Sequence, residues 1–215
     1  MRMINRDDLL AWIRKLHHVY AENKAYLTEL DAAIGDADHG INMNRGFSAV
    51  AAELDKNAPA DNSALLKTVA MTLIKTVGGA SGPLYGTFFL RAAAACEGKG
   101  NLAPADVIAL FDAGLAGVVQ RGKAELNDKT MVDALNPAVA AMKKTLDAGA
   151  GLNEILADGA AAAESGMKLT IGMLARKGRA SYLAERSIGH QDPGATSSFL
   201  LIQTAADIWR LKRDD

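Results

Sequence analysis

The chain reads as an all-α protein, and three observations carry that reading. Alanine, the residue with the strongest intrinsic helix preference, is abundant along most of its length. The alternating β-branched pattern of half-buried strands is nearly absent. Apolar residues instead recur at helical spacing in one segment after another, as a single buried face requires. With 215 residues, 49 % of them hydrophobic and 23 % charged, there is enough material for a sizeable core.

The first helix is expected over Arg6 to about Leu30, with Asn5 as its N-cap and Asp7 and Asp8 suiting the helix dipole in the first turn. Leu9, Trp12, Ile13, Leu16, Val19 and Tyr20 mark its buried face. A second helix spans about Asn42 to Leu54, followed by a polar loop, Lys56 to Asn62, containing Pro59. The third, about Ser63 to Val77, has Asn62 or Ser63 as its cap. An apolar helix runs from Phe88 to Cys96, and Pro104 opens another that reaches about Gln120. Thr130 is the expected cap of a helix to about Leu146 that Pro137 kinks or divides. Leu152 to about Leu169 is a further helix. A glycine-punctuated loop, Gly178 to Gly194, holds a short helical piece at Tyr182 to Arg186, and the last helix covers about Ala195 to Arg213. About eight helices with short connections, and no linker or fixed-period repeat, give one domain over residues 1–215, a helical bundle or barrel.

Composition excludes several functions. A net charge of −1 gives no broad basic surface for nucleic acid. No apolar run approaches the roughly 18 residues of a membrane span, and Met1 leads into a polar start with no signal peptide, so a soluble cytoplasmic protein is expected. Cys96, the single cysteine, has no internal disulfide partner and sits in an apolar run as a buried thiol. His17 and His18 fall on a helix surface and His190 in a loop, while Met71, Met131, Met142, Met167 and Met173 are expected to pack.

The most informative stretch is Asp31-Ala-Ala-Ile-Gly35-Asp36-Ala-Asp38-His39-Gly40, three carboxylates and an imidazole within nine residues, Asp31 to His39, with no lysine or arginine between Glu29 and Asn44. Gathered carboxylates repel one another unless protonated or bridged by a cation, and oxygen ligands suit Mg²⁺, Mn²⁺ or Ca²⁺ rather than zinc. On a straight helix Asp36 would point away from Asp31 and Asp38. A helix ending near Ile34 with a turn at Gly35 lets all three converge. An acidic cap cluster on a surface helix is the alternative. An EF-hand is excluded, because Phe47 stands where its bidentate glutamate belongs.

A second stretch, Gly78 to Gly86, leads into a helix. Exposed amides at a helix start make an anion site that glycine leaves accessible, and Ser81 adds a hydroxyl donor. A tight helix corner needing small residues explains the glycines equally well. Gly117 to Ala124 imitates a phosphate-binding loop but has Ala124 in place of the metal-holding hydroxyl, though Gly122 can still line a site. In the third stretch, Arg179 suits phosphate oxygens and Asp192-Pro193-Gly194 is a turn signal first. Together these parts fit a nucleotide site. ADP at about −3 beside three carboxylates gives about −6, and two Mg²⁺ ions reduce that to about −2, within reach of a cationic side chain and helix dipoles.

Four segments in order carry a resemblance. Asp31-x4-Asp36-Ala-Asp38-His39-Gly40-x-Asn42-Met43, Gly78 to Thr87, Gly122 to Met131, and Gly178 to Ala195 resemble the DhaL family, the nucleotide-binding subunits of bacterial dihydroxyacetone kinases, over nearly the whole chain. The resemblance implies an antiparallel eight-helix barrel with ADP or ATP at one end. It implies that Asp31, Asp36 and Asp38 bind two Mg²⁺ ions, and that His39, Gly40, Ile41 and Asn42 border the nucleotide. Ala80 and Ser81 would contact phosphate, Gly122, Thr130 and Met131 would surround the base or ribose, and Arg179, Asp192 and Pro193 would close the site. It further implies partners: a substrate-binding subunit, DhaK, that holds dihydroxyacetone and supplies the general base, and a phosphohistidine donor, DhaM, that rephosphorylates held ADP. Two other readings stay open, an ATP-using kinase subunit for a related ketose such as erythrulose, and a non-enzymatic ADP-dependent module contacting a transcriptional regulator or the kinase partner.

Overall fold

In the computed structural model, which describes residues 2–56 and 59–210, the expected helices form with shifted edges. The first helical stretch is two helices, α1 (Arg6–Glu22) and α2 (Lys24–Ile34). Asn23 breaks it by turning its side-chain amide onto the Val19 carbonyl at 2.8 Å, competing with the helix's own bonds. The start is as expected: the Asn5 side chain accepts from the amides of Asp7 and Asp8 at 2.9 and 3.1 Å, and Asp8 accepts from the Asn5 amide at 3.0 Å.

Then come α3 (His39–Lys56), α4 (Asn62–Thr76), α5 (Ser81–Ala95), α6 (Pro104–Gly122), α7 (Val132–Asp147), α8 (Leu152–Leu169) and α9 (Pro193–Trp209). The cap of α4 is Asp61, one residue earlier than expected, accepting from the Ala64 amide at 2.7 Å. Helix α5 begins at Ser81 rather than Phe88, so the glycines at 82 and 86 lie inside it. Pro137 sits inside α7 without dividing it. Part of the polar loop expected over 56–62, and residues 211–213 of the last helix, lie outside the described residues. A short antiparallel ribbon, β1 (Ile4–Asn5) with β2 (Asn101–Leu102), is too brief to leave a sequence pattern and buries Ile4 and Leu102.

Helices α3 to α9 each pack on the next, and α9 returns to α1, which packs on α3. Eight helices thus close a ring, with α2 set against α3 and α9 outside it. Trp12 fills the interior, its ring 5.8 Å from Phe89, 5.7 Å from Phe111 and 5.1 Å from Trp209. One apolar cluster draws on every helix. Met142 is fully buried, but Met71 is 47 % exposed and does not pack as expected. Cys96 is buried and its thiol is pushed up to about 11 by burial.

Candidate functional site

The junction of α2 and α3 is built around Asp31. Helix α2 stops at Ile34, the Gly35 amide closes on the Asp31 carbonyl, and Ala37 turns the chain with φ 61. One Asp31 oxygen, Oδ2, accepts the amides of Asp38 and His39 at 2.8 and 3.1 Å, so this carboxylate caps α3 from the preceding helix. The other, Oδ1, lies over Gly35, where a Cβ would come within 2.1 Å of it. Glycine is needed there to leave room for the carboxylate. The turn brings carboxylate oxygens of Asp31, Asp36 and Asp38 within 4.8 Å of one another. An all-oxygen set with one member fixed by two backbone amides, and like charges left close together, fits a hard divalent cation.

Facing this corner is the start of α5. No side chain caps it, and its cap position Ala80 and first residue Ser81 line the same space. Both explanations of the glycine-rich stretch apply, at different positions. A Cβ on Gly82 would lie 2.3 Å from the Val77 carbonyl and one on Gly86 2.2 Å from Ile74, so these serve the corner with α4. Gly79, at φ 62, shapes the turn before Ser81.

His39 ties the two walls together. Its Nδ1 lies 3.1 Å from Ser81 Oγ and its Nε2 2.8 Å from Ser197 Oγ on α9, which in turn lies 2.7 Å from the Tyr85 hydroxyl. Burial lowers the His39 pKa against the pull of Asp31 and Asp38, favouring a neutral ring that accepts at one nitrogen and donates at the other.

The opposite wall is the loop between α6 and α7. Asp133 accepts the amides of Asn127 and Thr130 at 2.5 and 2.8 Å, and Asp128 accepts that of Glu125 at 2.8 Å. Thr130 lies one position short of the cap it was expected to be, its hydroxyl accepting from the Val132 amide at 3.2 Å. Over the top runs the segment between α8 and α9, which includes 3-10 turns within Arg179–Ser187 interrupted at Ala184. From it Arg179 reaches down to Asp36, Nη2 to Oδ2 2.9 Å. Asp192 caps α9 by accepting the Ala195 amide at 2.6 Å, with Pro193 in the first turn. Burial raises the Asp192 carboxyl to about 7.

These walls enclose a cleft of about 530 Å³. Asp31, Asp36, Asp38, His39, Ala80, Ser81, Gly122, Thr130, Met131, Arg179, Asp192 and Pro193 all line it. Gly40, Ile41 and Asn42 are not in its lining. Gly40 sits at the crossing with α2, where a Cβ would meet the Lys24 carbonyl at 2.1 Å, and Ile41 is 43 % exposed on the outer face. Asn42 is buried beside Gly78, accepting from Arg45 at 2.6 Å. Among the polar lining groups, Tyr85, Arg121, Lys129 and Lys177 carried no role in the sequence reading. No local signal marks a lysine in a polar loop such as Asn127-Asp128-Lys129 as buried.

The family model for the DAK2 domain matches residues 33–207. The chain belongs to the DAK2-domain family. Among its relatives is the PEP-dependent dihydroxyacetone kinase ADP-binding subunit DhaL of Escherichia coli, 46 % identical over 94 % of this chain and 97 % of that one. The PTS-dependent counterpart of Lactococcus lactis, also an ADP-binding subunit DhaL, is 43 % identical over 96 % of this chain and 99 % of that one. The fold is similar to part of the crystal structure of the C. freundii dihydroxyacetone kinase in complex with AMP-PNP and Mg²⁺, with a TM-score of 0.70 and 26 % identity over 91 % of this chain. This chain spans 33 % of the length of that enzyme.

Proposed function

We propose that this chain is the nucleotide-holding, phosphoryl-transfer subunit of a dihydroxyacetone kinase, acting as a single domain in the cytoplasm. ADP held with two Mg²⁺ ions would be phosphorylated by a phosphohistidine subunit, DhaM, and the group passed to dihydroxyacetone on DhaK. One observation carries the reading. Three carboxylates whose oxygens lie within 4.8 Å of one another share a cleft with the uncapped start of a 15-residue helix. Two relatives that match end to end are named ADP-binding subunits, which supports the nucleotide.

Asp31, Asp36 and Asp38 would hold the metal, which when bound neutralises phosphate charge and fixes the phosphates in line for transfer. Asp31 is held ready for this by the Asp38 and His39 amides. Ser81, oriented by His39, and the first amides of α5 would receive phosphate oxygens. Arg179, already reaching Asp36, would supply the positive charge that closes the site. Gly122, Thr130 and Met131 would flank the base or ribose, with His39, Gly40, Ile41 and Asn42 bordering the nucleotide. The last three would act from α3 behind the cleft wall.

Leu126, Ile171, Leu174, Tyr182 and Ile188 are exposed apolar residues on the two loops that carry Lys129 and Arg179, and Leu169, also exposed, ends α8 where the second of these loops begins. They suit docking of the substrate-holding partner, which on this reading supplies the base for the substrate hydroxyl. Among the described residues no helix is long and apolar enough to cross a membrane.

The reading is tested by mixing the chain with DhaK, phosphorylated DhaM and dihydroxyacetone. Product should require this chain and vanish with Asp36→Asn. Complex formation without turnover would favour the regulatory module instead, and turnover with free ATP but not DhaM would favour the ATP-using kinase.

A further inference from the structure

Lys129 is only 1 % exposed, yet among the described residues no carboxylate lies within ion-pair distance of it. Its ammonium donates instead to three backbone carbonyls, those of Thr170 and His190 at 2.5 Å and Met173 at 3.3 Å. Three donors and three oxygens match completely, as in the oxygen cage of a bound monovalent cation. A planar guanidinium does not fit such a cage. The residue also holds its backbone at φ 62, a conformation that a non-glycine residue adopts only where its surroundings impose it.

The three carbonyls come from the two ends of one excursion of the chain. Thr170 and Met173 lie where it leaves α8, and His190 where it returns to α9. Further bonds converge there: the Arg176 amide on the Asp128 carbonyl at 3.1 Å, the Gly189 amide on the Ile171 carbonyl at 2.7 Å, and the Asp192 amide on the Thr170 hydroxyl at 3.0 Å. Within the excursion, buried apolar packing is confined to a small cluster of Ile34, Ala175 and Ala180, with Leu183 against it. Arg179 is carried on this lightly packed arm.

We propose that Lys129 is a positioning residue, a built-in cation that fastens both ends of the 173–190 arm to the loop between α6 and α7 and so sets Arg179 over the acidic corner. The inference rests on the proposed nucleotide site, since Arg179 acts on whatever that corner holds. Lys129 touches the arm's backbone and acts through Arg179.

The test uses the full chain and ADP with saturating Mg²⁺, followed by calorimetry well below each variant's melting temperature. Lys129→Met should bind ADP about tenfold more weakly than wild type or worse. In Lys129→Ala, added propylammonium should restore most of the lost affinity, whereas tetramethylammonium, which has no N–H to donate, should not. Wild-type affinity in folded Lys129→Met, or failure of propylammonium to restore binding in Lys129→Ala, would overturn the proposal.

Two measurements need no nucleotide. In wild type with nitrogen-labelled lysine, one ammonium should show hydrogens exchanging far more slowly than surface lysines, and exchange at surface rates would overturn the proposal even if neither variant folds. In folded Lys129→Met, a protease should cut within 173–190 before the barrel, and an unchanged cutting pattern would also overturn it. If wild type itself fails to bind ADP with Mg²⁺, the functional reading falls, and these two results still decide the role of Lys129.

Discussion

The barrel interior and the cleft end are held together by different physics. Inside the ring, Trp12, Phe89, Phe111 and Trp209 meet ring to ring, and the hydrogen bonds of the two indoles simply satisfy their polar tips, Trp12 to the Leu201 carbonyl at 3.2 Å and Trp209 to that of Asp8 at 3.0 Å. Burial there is non-directional and scales with apolar area. At the cleft end single side chains each fix several backbone groups: Asp31 two amides, Asp133 two amides, Lys129 three carbonyls. Among the described residues, every non-glycine position with positive φ lies there, at Ala37, Lys123, Asn127, Lys129 and Ala184. The core therefore supplies stability, and the cleft end spends part of it holding strained loops in one geometry. Substitutions should separate along that division.

The largest effect belongs to the core. Trp12→Ala should cost about 3–5 kcal/mol and lower the melting temperature by roughly 10 °C, while molecules that remain folded bind ADP with Mg²⁺ as before. Altered affinity in the folded fraction would mean that core and cleft are coupled. Next is Asp36→Asn, which should weaken ADP binding in Mg²⁺ on the order of 100-fold, about 2.7 kcal/mol, yet leave nucleotide-free stability nearly level, since the exposed ion pair lost with Arg179 and the like-charge repulsion relieved are both small and oppose each other. A large drop in nucleotide-free melting temperature would show that this acid is structural.

Gly35→Ala sharpens the boundary, because its Cβ would meet Asp31 Oδ1 at 2.1 Å. Displacing that carboxylate should weaken Mg²⁺-dependent binding about tenfold and also loosen the cap on α3, so calorimetry and thermal melting should both respond. A melting temperature that falls with binding unchanged would remove Asp31 from the metal set.

The smallest effect is in pH dependence. Burial raises Asp192 from 3.8 to about 7, so in this range the folded chain keeps a proton that the unfolded chain releases. The group favours the folded state fully below about pH 4, and that contribution is lost as pH rises through about 7. His39, lowered by burial, contributes with the opposite sign. The difference between wild type and Asp192→Asn, which keeps a competent helix cap, isolates Asp192. Without nucleotide, wild type should lose melting temperature relative to the variant across that window. Parallel profiles would show that Asp192 is ionised throughout.

Legibility in the sequence follows the same division. Periodic apolar positions located the helices because burial along one face leaves a repeating trace, and the Asn5 cap was readable from residue type alone. The acidic corner was readable too, since Gly35 between Asp31 and Asp36 signals a turn that gathers them. What escaped depends on distant partners. Asn23 breaks a continuous apolar pattern through one local hydrogen bond. Lys129 is buried only because carbonyls more than forty residues away surround it. In the run from His39 to Asn42, the sequence does not show which residue lines the cleft: α3 begins at His39, successive helical residues turn by about 100°, and of the four His39 is the one in the lining, with the other three behind it.

The central claim is that Asp31, Asp36 and Asp38 hold the cation through which nucleotide is bound. It is tested most directly by titrating ADP into nucleotide-free wild type with Mg²⁺ and again with a chelator. The account predicts tight binding in the first titration and loss of at least about 100-fold in the second. Equal affinity in both would contradict it.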